Sequence, residues 1–381
     1  MLEPFTLALV LYQLGLWLIG FLLLWRIPRC REASATRPNP GPSVSVIIPA
    51  RNEERNLPAL LQSLDAQDLQ PVEVIVVDDG SEDGTAKAAR LHEVRILDAG
   101  EKPPDWVGKP WACWKGALAA TGEILVFLDA DTVLSKSGLA RIVATLAAEE
   151  GVISIQPFHA IRTSREALSA YFNLVAMAAL NVFSPLGDRL RPAGSFGPCI
   201  AVRRAEYFAA RGHEAVKSEI TEDMALGGVF QDRGVRVSCF GGKGSVSFRM
   251  YSGGVGDIAE GWTKNFALGA ARTHPVFVGL IVAWIAGSTT CFLSLLATLL
   301  PGFSSRWPVE VILYALYAAQ LFWMLRRIGS FGPLAALLFP LPLLFFHAIF
   351  FRSLFLARVR NRVTWRGRTI GTRRGARQIH E

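Results

Sequence analysis

Three short acidic clusters stand out along this chain: Asp78-Asp79 followed by Gly80-Ser81, Asp129-Ala130-Asp131, and Glu222-Asp223 behind Thr221. In the first, a carboxylate could accept hydrogen bonds from a ligand's N–H or hydroxyl groups. Gly80 would allow the tight turn that brings backbone close to that ligand. The same four residues would equally make an ordinary turn, since Asp-Gly is a common turn pair. In the second, two carboxylates one residue apart can hold Mg²⁺ or Mn²⁺ against a diphosphate, although a D-x-D is often only a solvated turn. In the third, Thr221 is a candidate N-cap for the helical pattern MALGGVFQ. An acid there either completes a cap or, as Asp223, serves as a general base that takes a hydroxyl's proton. Lys109, in DWVGKPWAC, offers a point charge suited to a diphosphate; a solvated surface would suit a lone lysine as well.

These residues need a scaffold that brings them to one place. Strand-like runs fall at 44–48, 73–77, 94–97, 124–128 and 152–156. Helix-forming stretches with apolar spacing near 3.6 lie between them, at 54–67, 83–91, 111–120 and 137–148. Alternating strand and helix predicts an α/β fold with a mostly parallel, doubly wound sheet. Ligands of such sheets sit at the carboxyl ends of the strands. Asp78-Asp79 and Asp129-Ala130-Asp131 both close a strand run, and Pro49-Ala50-Arg51-Asn52-Glu53 closes the first one at the same sheet edge. There is no internal repeat, no G-x-G-x-x-G and no P-loop pattern.

The flanks are of another kind. Residues 5–25 carry no charge and are long enough to cross a bilayer, which takes about 20 apolar residues. A cleaved signal peptide fits them less well, because the run is too long and no small-residue cleavage site follows. Further apolar runs fall at 276–300, 309–325 and 334–351. The last contains Pro340 and Pro342 and could be a re-entrant or interfacial hairpin. The net charge of +8 resides in residues 352–381, which hold nine arginines; elsewhere acids and bases balance. A basic tail beside a hydrophobic region points to anionic lipid headgroups, well ahead of nucleic acid, which is not expected as a partner. Glu3 precedes the first apolar run, and Arg26, Arg29, Arg31 and Arg37 follow it, so its C-terminal side should face the cytoplasm. If all three later runs crossed, the arginine tail would lie outside, against the charge rule. Cys30, Cys113, Cys199, Cys239 and Cys291 show no paired or metal-ligand spacing and read as reduced thiols, mostly buried.

PARNE after strand one, DDGS after strand two, DAD after strand four and TED later resemble, in that order, family 2 glycosyltransferases, the inverting GT-A class. The resemblance covers roughly residues 43–275. It implies a GT-A, Rossmann-like catalytic domain that binds a nucleotide-diphosphate sugar through Pro49, Glu53, Asp79, Lys109 and Asp129. It further implies a metal contact for Asp131 and the role of base for Asp223. Three longer stretches narrow it: PPDWVGKPWACWKGALAATGEILVFLDAD, HEAVKSEITEDMALG, and FRMYSGG followed by EGWTKNFALGA. They look like bacterial 4,4'-diaponeurosporenoate (carotenoid) glycosyltransferases and hopanoid-associated glycosyltransferases, which also share a C-terminal W-[KR]-G-R, here Trp365-Arg366-Gly367-Arg368. The Q/R-x-x-R-W signature of polysaccharide synthases is absent. Gly261-Trp262-Thr263-Lys264 occupies the comparable region, which makes Trp262 and Lys264 candidates for the acceptor side. Glu222 and Arg249 are candidates for the acceptor or diphosphate side.

The expected organisation is a membrane anchor at 1–27, a basic, Pro-rich linker at 28–42 and a catalytic domain at 43–260. An interfacial helix follows at 261–275, then membrane helices at 276–351 and the arginine tail at 352–381. The expected protein is a multi-pass inner-membrane glycosyltransferase with a cytoplasmic catalytic domain and an Mg²⁺ or Mn²⁺ cofactor. It would pass one sugar from a UDP-type donor to a membrane lipid, with a carotenoid or other terpenoid as the favoured acceptor. A polymerising synthase would need more membrane helices than this chain offers. An inactive lipid-binding scaffold would not need the intact acidic set.

Overall fold

The computed structural model describes residues 4–32, 41–219, 221–251, 253–269, 273–301, 306–356, 362–365 and 368–371. Most of the expected linker, most of the arginine tail and the side chain of Lys264 lie outside the described residues. In chain order the elements are α1 (Pro4–Leu23), β1 (Val44–Ala50), α2 (Leu57–Asp65), β2 (Glu73–Asp78), α3 (Thr85–Ala89), β3 (Arg95–Asp98), α4 (Gly108–Ala119) and β4 (Ile124–Leu128). Next come β5 (Thr132–Leu134), α5 (Gly138–Glu149), β6 (Val152–Gln156), β7 (Phe158–His159), α6 (Ala170–Ala179), β8 (Cys199–Arg203), α7 (Arg204–Ala209), α8 (Glu222–Asp232), β9 (Val237–Gly241) and β10 (Val246–Phe248). The last are α9 (Val255–Gly269), α10 (Pro275–Ala297), α11 (Trp307–Ile328), α12 (Pro333–Leu337), α13 (Pro340–Phe355), β11 (Arg362–Trp365) and β12 (Arg368–Gly371). They fall into two units. One comprises Pro28–His159 and Arg191–Met250; the other comprises Met1–Ile27, Ala160–Leu190 and Tyr251–Glu381. The sequence reading kept 160–190 within the catalytic domain, whereas packing groups them with the helical unit.

The first unit is built on a seven-stranded sheet in the order β3-β2-β1-β4-β8-β6-β9. Every pairing is parallel except the two made by β8, which runs antiparallel between β4 and β6. This is the mostly parallel, doubly wound α/β fold expected from the sequence. β4 (ILVFL) is buried at every position because both faces of a parallel sheet are covered. Helix α2 buries Leu57, Leu60, Leu61 and Leu64, and α5 buries Leu139, Ile142, Val143 and Leu146; both are i, i+3, i+4, i+7 stripes. From β1 the order runs through β2 to β3 on one side and starts with β4 on the other, so the order in which strands are added reverses between the parallel neighbours β1 and β4. A reversal of this kind opens a crevice at the strands' carboxyl ends, where Ala50, Asp78 and Leu128 stand. A second, three-stranded sheet has the order β5-β10-β7, and its β5 directly follows β4 in the chain.

The second unit is helical. α10 and α11 are long and apolar enough to cross a membrane; α1, apolar from Leu7 to Leu23, and α13 are shorter. The apolar run at 334–351 is split into α12 and α13, with Pro340 opening α13 and Pro342 inside its first turn, where proline is tolerated. Inside the bundle, polar groups link the helices. Gln13 Nε2 donates to Ser294 Oγ at 3.0 Å, and Tyr317 donates to the Gln13 carbonyl at 3.2 Å. Gln320 donates to the Trp17 carbonyl at 2.7 Å while its Oε1 accepts from Trp284 Nε1 at 3.0 Å. The outside is apolar: Leu11 on α1, Val282 on α10 and Ile312 on α11 are each about 60% exposed. All five cysteines are unpaired and buried.

Candidate active site

Lys109 is the centre of the site. It lies in the first turn of α4, where the helix dipole disfavours a cation, and two carboxylates compensate. Its Nζ is 2.7 Å from Asp129 Oδ1, just beyond β4, and 3.2 Å from Glu222 Oε1, the first residue of α8. Burial alone would depress the lysine; Asp129, then Glu222 and Asp223, outweigh it and hold its pKa well above the usual value. The cavity here is lined by Pro49, Lys109, Asp129, Gly197, His213, Glu222 and Asp223, among others. It stands at the carboxyl ends of β1 and β4, where the order of the sheet reverses.

Asp223 is oriented by backbone. Its Oδ2 accepts the Gly197 N–H at 3.0 Å and its Oδ1 accepts the Met224 N–H at 2.8 Å. A side chain at 197 would bring its Cβ within 2.8 Å of Oδ2, so only glycine lets the 194–198 loop come this near. Ser195 ties the same loop to the Asp223 carbonyl. Thr221 occupies the N-cap position of α8 but makes no side-chain cap hydrogen bond. The capping box that would have explained the acids at 222 and 223 is therefore not formed.

The other expected residues take places around this centre. Asp79 lies beside Arg51, with its Oδ2 3.8 Å from Nη1, and the Arg51 guanidinium donates to the Asp79 carbonyl at 3.0 Å. A Cβ on Gly108 would come within 2.2 Å of Asp79 Oδ2, so that carboxylate lies against the start of α4, one residue from Lys109. Gly80 takes a left-handed φ of +68°, the turn expected of it, and Asp78 holds this turn by accepting from the Ser81 N–H at 3.0 Å. Glu53 accepts from Asn56 Nδ2 at 2.7 Å. Asp131 immediately precedes β5, and Arg249 immediately follows β10. These strands pair antiparallel through Phe248↔Thr132, so the next positions along them are Arg249 and Asp131.

Trp262 belongs to the helical unit, where it is buried and stacked on Phe172 with ring centroids 5.0 Å apart. Its indole therefore packs and does not present a face. The sequence reading gave no role to His213 or Gly197. His213 is 3% exposed, and burial together with the Lys109 charge pushes its pKa down to about 3. The only sequence signals were a histidine in the HEAVKSE stretch and the glycine pair in GSFGP.

The family described as glycosyl transferase family 2 matches residues 45–204. A 4,4'-diaponeurosporenoate glycosyltransferase from Staphylococcus aureus strain USA300 is 36% identical over 330 residues, spanning 86% of this chain and 88% of the relative. The protein of that name from the bovine strain RF122 / ET3-1 is 35% identical over 330 residues, with the same coverage. Among solved structures, a mannosyltransferase from Pyrobaculum calidifontis in complex with GDP-Man and Mn²⁺ aligns at 20% identity and TM-score 0.48, covering 85% of this chain and 99% of that one.

Proposed function

Since the chain belongs to glycosyl transferase family 2 and is a glycosyltransferase, we propose that it moves a single sugar from a nucleotide-diphosphate sugar to a hydroxyl or carboxylate of a membrane lipid, with a carotenoid or other terpenoid as acceptor. The observation that carries this reading is the convergence of Lys109, Asp129, Glu222 and Asp223, drawn from three separate elements, at the switch point of the sheet. The acceptor oxygen attacks the anomeric carbon, the bond from that carbon to the diphosphate oxygen breaks, and, where the acceptor is a hydroxyl, Asp223 takes its proton. Attack from the face opposite the leaving group inverts the anomeric centre. Gly197 and Met224 N–H groups hold the Asp223 carboxylate in place for this transfer. Asp79 and Glu53 bind the nucleotide at the neighbouring strand ends.

Asp129 and Asp131 are the residues that would hold Mg²⁺ or Mn²⁺. They fit on their chemistry: hard carboxylate oxygens at a strand end, with no cluster of three or more metal-ligating side chains among the described residues. Such an ion takes one or two carboxylates and completes its shell with substrate phosphates. When bound, it neutralises the diphosphate as a leaving group.

The apolar exterior of the helical unit and the hydrogen bonds between its helices support membrane insertion. In lipid, packing and interhelical hydrogen bonds hold helices together. We place α10 and α11 across the inner membrane and the catalytic unit in the cytoplasm. To test the function, purified protein in detergent is incubated with a panel of nucleotide sugars, Mn²⁺ and bacterial lipid extract, and lipids are read by mass spectrometry. A hexose-sized mass gain that disappears in excess EDTA is expected. No gain with any donor would refute the transfer reading, and a gain unchanged by EDTA would refute the metal.

A further inference from the structure

His213 lines the cavity but takes no part in the transfer chemistry above. Its ring packs against Phe127, with centroids 4.9 Å apart, and against Tyr207 at 5.8 Å. Nδ1 is 2.9 Å from the Tyr207 hydroxyl, whose oxygen also accepts the His213 main-chain N–H at 3.1 Å. Tyr207 is fully buried, so its hydroxyl proton needs an acceptor, and Nδ1 is the acceptor beside it. The phenol therefore donates to Nδ1, which leaves the ring proton on Nε2. With a pKa pushed down to about 3 by burial and by Lys109, the ring stays neutral in this tautomer. Nε2–H has no hydrogen-bond partner among the described residues, and the ring borders the cavity.

The contents of the cavity decide what this N–H meets. With Asp129 reserved for the metal and the diphosphate, Glu222 and Asp223 still outnumber the one cation, Lys109, so a bare phosphate is disfavoured on their side. A sugar hydroxyl fits better, because it can donate to a carboxylate while accepting from an N–H.

We propose that His213 is a specificity-determining residue whose Nε2–H donates to one hydroxyl of the donor sugar, in a tautomer fixed by Tyr207. This rests on the reading of the cavity as the donor-sugar site. The test compares kcat/KM for the accepted nucleotide sugar and its monodeoxy analogues in wild type, His213→Phe, His213→Gln and Tyr207→Phe, alongside the affinity of the free nucleoside diphosphate. A site built to bond a hydroxyl rejects the analogue that lacks it, so wild type should disfavour one deoxy donor by about 10- to 100-fold, in line with a single hydrogen bond. His213→Phe should bring that ratio close to one by losing the parent donor only. His213→Gln, which keeps an N–H, should restore part of the ratio, and Tyr207→Phe should erode it. Nucleoside diphosphate affinity should stay unchanged throughout. Equal losses for parent and deoxy donors, or loss of nucleoside diphosphate binding together with turnover, would make His213 a packing residue and overturn the proposal. Wild type inactive with every nucleotide sugar would strike the functional reading itself; active wild type with its ratio intact in His213→Phe strikes only this inference.

Discussion

The sheet unit and the helical unit dispose of their polar groups in opposite ways. In the sheet unit the interior is aliphatic, from Val46 and Ile48 to Leu139 and Ile155, and ionisable side chains collect at the strand ends, where Lys109, Asp129 and Glu222 compensate one another. In the helical unit, Gln13, Ser288 and Gln320 are buried between helices whose outer surfaces carry leucine and valine. Water drives the first arrangement, since burying apolar surface there is worth about 25 cal/mol per Å². The second suits a solvent as apolar as leucine, where internal hydrogen bonds and close packing tell one helix from another. Gly20, for instance, has no side chain where the Gln320 amide comes against α1. The polar residues that line the cavity and those that link the helices are therefore different sets.

That contrast can be broken by substitution. Leu61→Ala in α2, at a fully buried position of the sheet core, should cost about 2–5 kcal/mol. Melting of the sheet unit should then fall by roughly 5–15 °C, given about 2–4 °C per kcal/mol for a domain of this size. A shift under 2 °C would mean that the aliphatic core does not set its stability. Gln320→Leu keeps volume and removes two interhelical hydrogen bonds. In detergent it should cost only about 1.2 kcal/mol, at the usual ~0.6 kcal/mol for each such bond among membrane helices. A loss as large as that of Leu61→Ala would show that the polar links, and not packing, hold the helical unit.

The strands were legible because buried parallel strands are short continuous apolar runs: 124–128 and 152–156 match β4 and β6 residue for residue. β8 escaped notice because nothing in CIAVR marks an antiparallel strand, and its pairing with β4 is set by tertiary contact. The grouping of 160–190 with the helical unit was hidden for a related reason. Its apolar stretch in α6 (AYFNLVAMAA) is too short to read as a membrane helix and packs through Tyr171 against Trp284, more than a hundred residues away. At the site, the acids were visible as motifs, but the link from Lys109 to Glu222 was not, because the two are distant in sequence. His213 was invisible for the same cause: its tautomer depends on Tyr207 and its placement on Phe127, and neither relation has a local signature.

The central claim is that Asp223 takes the proton of an attacking hydroxyl, and Asp223→Asn tests it most directly. Asparagine keeps the size of the side chain and an oxygen that can accept the Gly197 N–H. It removes the proposed proton acceptor. Measured on the wild-type donor and lipid acceptor, kcat should fall by about 10²–10⁴-fold, while donor affinity, assigned in this proposal to Asp79, Asp129 and Asp131, should stay within twofold. A kcat within tenfold of wild type would contradict the account, since an acceptor that attacks as a carboxylate has no proton to surrender. A collapse of donor affinity alongside kcat would contradict it too, by making Asp223 part of the binding site and not the base.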